Sequence, residues 1–257
     1  MRSIVPFALL CLLMLAPAGA AGTEDATGDA EIQRTPVLIE LFTSEGCSSC
    51  PAADRQIARL VRVQPLRQVL VIALSEHVDY WDSLGWSDPF ASAAFTDRQR
   101  SYAARLETDV YTPQLVVDGA QQLVGSNRDE TMKAIYRAAR RPKVPLMLTP
   151  TIEGGDSIAF DVTVGEAPVD VSGKFVLWTA VAEDGLVVEV ERGENGGREL
   201  RHDGVARILD NQGSIRPGET RSVEISLDPD WNTDNLRVVA FLERRRDGRI
   251  VGVATSP

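Results

Sequence analysis

Cysteine and histidine are scarce in this 257-residue chain, with three of the first and two of the second. So few ligands exclude the closed zinc modules that are built from four Cys and His side chains. Positive charge is also short. Lys and Arg number 27 against 37 Asp and Glu, giving a formal net charge of −10. Such a chain has no electrostatic footprint for nucleic acid or an anionic membrane surface. The densest basic cluster, Arg244-Arg245-Arg246, runs into Asp247-Gly248 and reads as a charged edge strand entering a hairpin turn. After the N-terminus no run of eighteen apolar residues occurs, so the mature chain is expected to have no membrane-spanning helix.

The apolar run that does occur is short and lies at the start. Arg2, Ile4 to Leu15 and Ala18-Gly19-Ala20 have the layout of a secretory signal with a small-x-small cleavage site. Residues 1–21 are read as a cleaved signal peptide and 22–34 as a disordered polar leader. Cleavage removes Cys11 together with Arg2 and moves the net charge to −11. The mature protein is then periplasmic or secreted, and Cys47 and Cys50 are its only thiols.

Those two cysteines follow the apolar run Val37–Phe42 and open a helix over about 49–63, with Ile57, Leu60 and Val61 on one face. Strand-like Val69–Leu74, a helix over 95–106, strands at 115–117 and 121–124 around Asp118-Gly119, and a helix over 127–140 follow. Asn127 is the expected cap of that last helix, with Met132, Ile135 and Tyr136 on its buried face. The order is βαβ, a helical crossover, then ββα. Beyond Arg141 helical periodicity stops, and short alternating runs at 158–164, 175–181, 186–190, 222–227, 236–243 and 250–254 predict an antiparallel β-sandwich of immunoglobulin-like type. The stiff segment Arg141-Pro142-Lys143-Val144-Pro145 divides two domains, 35–141 and 142–257.

Glu40-Leu41-Phe42-Thr43 leading to Cys47-Ser48-Ser49-Cys50, with Tyr111-Thr112-Pro113-Gln114 leading to Asp118-Gly119, resembles the glutaredoxin branch of the thioredoxin superfamily. The whole chain is similar to a family of secreted bacterial thioredoxin-like proteins of unknown function. The resemblance implies an α/β thioredoxin-like fold with a mixed sheet. It also implies that Cys47 is the attacking thiol, that Cys50 resolves, and that Pro113 is a cis-proline facing the disulfide. Gly125-Ser126 replaces the Gly-Gly pair of glutaredoxins, and Ser48-Ser49 is an unfamiliar dipeptide, so neither glutathione binding nor a redox potential carries over.

Several chemistries compete for these residues. A thiolate near a helix N-terminus is stabilised by free N–H groups, which suits Cys47 to thiol–disulfide exchange on protein thiols or with a redox partner protein. A purely structural bridge is a poor alternative, since so small a ring removes little chain entropy. Copper(I) held by Cys47, Cys50 and His77, in a copper-binding or copper-delivery protein, is the second reading. A binding module without turnover is the third. Thr112 and Pro113 offer a backbone edge to a substrate strand, because proline has no N–H. His77, in the aromatic stretch leading through Trp81, Trp86 and Phe90, is a candidate proton shuttle. No cofactor is expected. The loop Gly193 to Arg198, leading to His202-Asp203, reads as a solvated hairpin loop, with contact of this polar cluster to the redox site or to a ligand as the alternative.

Overall fold

The computed structural model describes residues 34–152 and 156–256, which belong to one compact unit. The expected signal peptide 1–21 and the leader through residue 33 lie outside the described residues. No helix among the described residues is long and apolar enough to cross a membrane.

β1 (Thr35–Thr43) and β2 (Val69–His77) pair in parallel, from Thr35 opposite Val69 to Thr43 opposite His77. Both strands are apolar almost throughout because both of their faces are covered. Val37, Ile39 and Leu41 pack beneath α1 (Cys50–Val63), against Ala53, Ile57 and Leu60. After a short 3-10 turn over 79–84 comes α2 (Ala93–Leu106), on the opposite side. β3 (Gln114–Val117) runs antiparallel to β1 and turns through Asp118-Gly119 into β4 (Gln121–Val124). α3 (Arg128–Ala139) then packs Ala134, Ile135 and Ala138 beside α1, capped by the Asn127 side chain on Glu130 N–H. Tyr136, expected on the buried face, is 55 % exposed. The positions that pack inward are 134, 135 and 138, and position 136 lies off their stripe.

Among the described residues after α3 the regular elements are strands apart from one 3-10 turn: β5 (Leu146–Ile152), β6 (Ser157–Val164), β7 (Phe175–Glu183), β8 (Leu186–Val190) and β9 (Arg198–His202). β10 (Val205–Ile215), β11 (Thr220–Ser226), β12 (Leu236–Arg244) and β13 (Ile250–Thr255) complete it. β11, β6 and β5 form a three-stranded sheet, and β8 and β9 pair only with each other. The others join the first strands in one eight-stranded mixed sheet, in the order β13-β12-β7-β10-β2-β1-β3-β4. The join is made by β10 on β2, with Val205 opposite Ser75. Ser75 donates its N–H to the Gly204 carbonyl (2.6 Å) and its hydroxyl to the Asp203 carbonyl (2.9 Å).

One sheet therefore runs through both sides of the boundary that composition marks at Arg141. Side-chain packing follows it. Leu38, Ile72 and Leu74 share an apolar cluster with Ala180, Val239 and Phe241. A second cluster fills the space between the three-stranded sheet and the large one, with Phe160, Val162 and Val223 against Leu177, Val181 and Leu242. The edge-strand reading of the arginine cluster needs correction. β12 lies between β7 and β13. Its last residue, Arg244, is buried and paired with Asp247 (2.7 Å).

Candidate functional site

β1 delivers the chain to Thr43, and the next six residues turn sharply before α1 begins. Cys47 N–H donates to the Ser44 carbonyl (3.2 Å) and Cys50 N–H to the Cys47 carbonyl (3.1 Å). Pro51 occupies the first turn of α1, where the missing N–H costs nothing. Cys47 and Cys50 are joined as a disulfide with Cα atoms 5.4 Å apart. The helix begins at Cys50, so Cys47 lies two residues before the Ser49 cap rather than in the first turn. Both cysteines are buried, Cys47 at 1 % and Cys50 at 0 % accessibility. Ser48 and Ser49 take the exposed positions, with the Ser49 hydroxyl 3.3 Å from Cys47 Sγ.

Beneath this turn lies a buried cluster of ionisable groups from five parts of the chain. Glu45 comes from the turn, Asp54 from α1, and His77 from the end of β2. Asp88 comes from the aromatic segment, and His202 from the end of β9. His77 Nδ1 is 2.7 Å from Asp88 Oδ2, and the same oxygen accepts the Glu45 N–H at 2.8 Å. His202 Nε2 is 3.2 Å from Glu45 Oε1, and its Nδ1 is 3.8 Å from Asp54 Oδ2. The two imidazoles meet edge to face, with centroids 5.0 Å apart, and Phe90 stands edge-on to both. Thr43 donates its hydroxyl to Asp54 Oδ1 (2.9 Å).

Burial dominates the electrostatics here, and pairing opposes it. Burial alone pulls the His77 imidazole down, but the charge and hydrogen bond of Asp88 outweigh that and hold it above its ordinary value. Burial likewise raises Asp88, yet His77 keeps it below the usual carboxylate range. The two directions agree on an ion pair. Asp54 is different: burial raises it, against the pull of His202 and His77. A carboxyl held high in this way is able to carry a proton that an exposed one would lose.

Aromatic side chains tie the loops together. Trp86 donates its indole N–H to Glu45 Oε2 (2.7 Å), and Trp81 donates to the Thr112 hydroxyl (2.9 Å). The Trp81 Cβ also lies 3.2 Å from where a side chain on Gly46 would begin, so Trp81 links the cysteine turn to Thr112. The Thr112–Pro113 bond is cis, and Pro113 is buried against Gly125, whose N–H bonds the Pro113 carbonyl (2.9 Å).

The structure thus joins Cys47 to Cys50, and brings Thr112-Pro113 to the same turn through Trp81. It places His77 one carboxylate away, through Asp88. Among the described residues no group of three or more His, Cys, Asp or Glu is arranged to hold a metal ion. Asp54, Asp88 and Asn195 were missed as site residues. The i, i+4 spacing of Cys50 and Asp54 on one helix was the available signal for the first. Nothing local pointed to Asp88, and for Asn195 the only signal was the polar cluster its loop forms with His202-Asp203. The loop read as solvated contributes Asn195, which is fully buried.

A sequence model for a family described as a protein of unknown function, DUF1223, matches residues 38–243. The crystal structure of an Agrobacterium tumefaciens protein, a structural-genomics target, aligns over 87 % of this chain and 94 % of its own. Its identity is 26 % and its TM-score 0.64. HBP35 of Porphyromonas gingivalis shares the fold at 15 % identity and a TM-score of 0.57, over 87 % of this chain and 75 % of that one. No curated protein matches the chain significantly.

Proposed function

Since the chain belongs to this family of unknown function, we propose from the site alone that it is a thiol–disulfide oxidoreductase of protein thiols in the periplasm or outside the cell. The observation that carries the proposal is the Cys47–Cys50 bridge itself, at the start of α1 above buried carboxyl and imidazole groups. A ring of this size adds little to stability. Its position beside groups able to hold protons suits exchange. The βαβ order, the α2 crossover and the ββα closure support a thioredoxin-like assignment for 35–141, and the two facing β layers support a sandwich beyond it.

In the oxidising direction a substrate thiolate attacks Cys47 Sγ, a mixed disulfide forms, and Cys50 leaves as thiolate. A second substrate thiolate then attacks the substrate sulfur of that mixed disulfide, closing a substrate disulfide and releasing Cys47. The substrate dithiol is oxidised and the cysteine pair reduced, and the reverse sequence reduces a substrate. Asp54, one turn after Cys50 on α1, supplies and accepts the Cys50 proton, with His202 beside it. Thr112-Pro113 offers the backbone edge for the substrate segment. Disulfide exchange of this kind needs no cofactor.

Cells expressing Cys50→Ser test the reading. Mixed disulfides with protein partners should accumulate, should disappear on reduction, and should be absent from the Cys47→Ser, Cys50→Ser double variant. Absence of Cys47-dependent adducts would end the proposal.

A further inference from the structure

The β8–β9 hairpin lies apart from both larger sheets in its hydrogen bonding, yet both its tip and its base touch the cysteine turn. From Glu191 to Arg198 every residue is exposed except Asn195, which is fully buried. The Asn195 side-chain amide donates to the carbonyls of Glu45 (2.8 Å) and Cys47 (3.0 Å). Next to it, Glu194 accepts the Ser48 N–H at 3.0 Å. These three bonds hold the backbone on both sides of Cys47. Gly193 packs on Gly85 and Trp86 of the aromatic segment.

The hairpin's base is fixed more firmly. Arg62 pairs with Asp203 (2.7 Å), His202 contacts Glu45, and Gly204 bonds β2. Val190 and Leu200 are buried. The tip is held to the cysteine turn by the Asn195 and Glu194 bonds, and within itself by Arg198 donating to Asn195 Oδ1 (2.8 Å). Gly193 and Gly197 take positive φ values of 78° and 79°, with Gly196 between them, so the segment around Asn195 consists largely of residues with wide backbone freedom.

We propose that this tip is a lid, closed over the disulfide, and that Asn195 is its latch. Attack on a disulfide requires the incoming thiolate to reach the sulfur along the line of the S–S bond. With Cys47 1 % accessible, that line is closed to an incoming thiol. Exchange therefore proceeds only from an open form in which Asn195 has left the two carbonyls. The lid sets the rate for every thiol, whichever partner the protein serves.

Reduction of the purified, oxidised full chain by dithiothreitol measures this directly, and needs no physiological substrate. Two thiols of the reagent become its cyclic disulfide while the Cys47–Cys50 bond becomes two thiols. Thiols released are counted against time. The wild-type rate should level off as dithiothreitol is raised, at the rate of lid opening. Asn195→Ala loses its two hydrogen bonds to the cysteine turn, and the one it accepts from Arg198 within the tip, and should react about tenfold faster at low reagent. Glu194→Gln, on the exposed side of the tip, should accelerate it less and covers the case in which the Asn195 variant misfolds. Asn127→Ala, which removes the α3 cap away from both the hairpin and the cysteine turn, is the control for opening by general unfolding. Rates that match wild type in both tip variants would overturn the lid. So would equal acceleration by the control at matched melting temperature. Because the readout is a chemical reductant, its failure leaves the oxidoreductase proposal standing, and failure of substrate trapping leaves the lid standing.

Discussion

Both histidines of the chain are buried in the same small volume, and they are held differently. His77 is paired with Asp88, and its Nε2 has no hydrogen-bond partner among the described residues. His202 bridges toward Glu45 and Asp54. The His77–Asp88 pair makes stability depend on pH from two sides. His77 has a raised folded pKa, so its contribution is complete below the ordinary imidazole value and is lost as pH rises through the folded one. Asp88 has a lowered folded pKa, so its contribution is complete above the ordinary carboxylate value and is lost as pH falls through the folded one. The pair is at full strength between roughly pH 4 and 6.5. His77→Asn should cost about 3 kcal/mol near pH 5.5 and less at pH 8, measured by urea unfolding. A difference that does not vary with pH would remove the ion pair from the account. Asp54→Asn should leave Cys47 alkylation unchanged but slow resolution of mixed disulfides roughly a hundredfold, the scale of one acid–base group. An unchanged resolution rate would release Asp54 from its role. At this scale the sequence was informative where chemistry is local. Cys47, Cys50 and Pro113 announce themselves by spacing. Asn195 and His202 become site residues only through a fold that returns the chain to its beginning, and no local pattern encodes that return.

Among the elements, the first half was legible because its apolar periods are clean. Three strands of the second half were not. β5 carries Pro150, with a register shift between Pro150 and Ile152. β10 pairs with β7 through two register shifts, between Ala206 and Ile208 and between Asn211 and Ser214, which breaks the alternation a strand is read from. β9 buries only Leu200 and His202 among charged neighbours, so it shows almost no apolar signal. Turns carry testable weight of their own. Gly125 joins β4 to α3, and a methyl group there would lie 2.6 Å from Leu41 and 3.1 Å from Ala53. Gly125→Ala should destabilise by about 1–3 kcal/mol, the range for overpacking, seen as a lower urea midpoint with unchanged slope. An unchanged midpoint would show that β4 and α3 shift apart without cost. Asn127→Ala removes the cap on Glu130 and should cost about 1 kcal/mol.

At the level of the whole molecule, the sheet makes the two halves interdependent. A fragment covering residues 34–141 would expose Leu38, Ile72 and Leu74, together with the β2 edge that β10 covers. It should fail to fold alone, giving a random-coil far-ultraviolet spectrum or aggregating. The full chain should unfold in one transition, with tryptophans on both sides of residue 141 reporting the same midpoint. Two separated transitions would restore the picture of independent domains. The placement of the hairpin also fixes an order of events in time. Ribosomes deliver this chain from its N-terminus, so Cys47 and Cys50 emerge long before Asn195 and His202 exist to cover them. During that interval the pair is open to any oxidant the nascent chain meets. Once residues 186–205 arrive and dock, a bond made in that interval is closed over, before the last strands of the chain have been delivered.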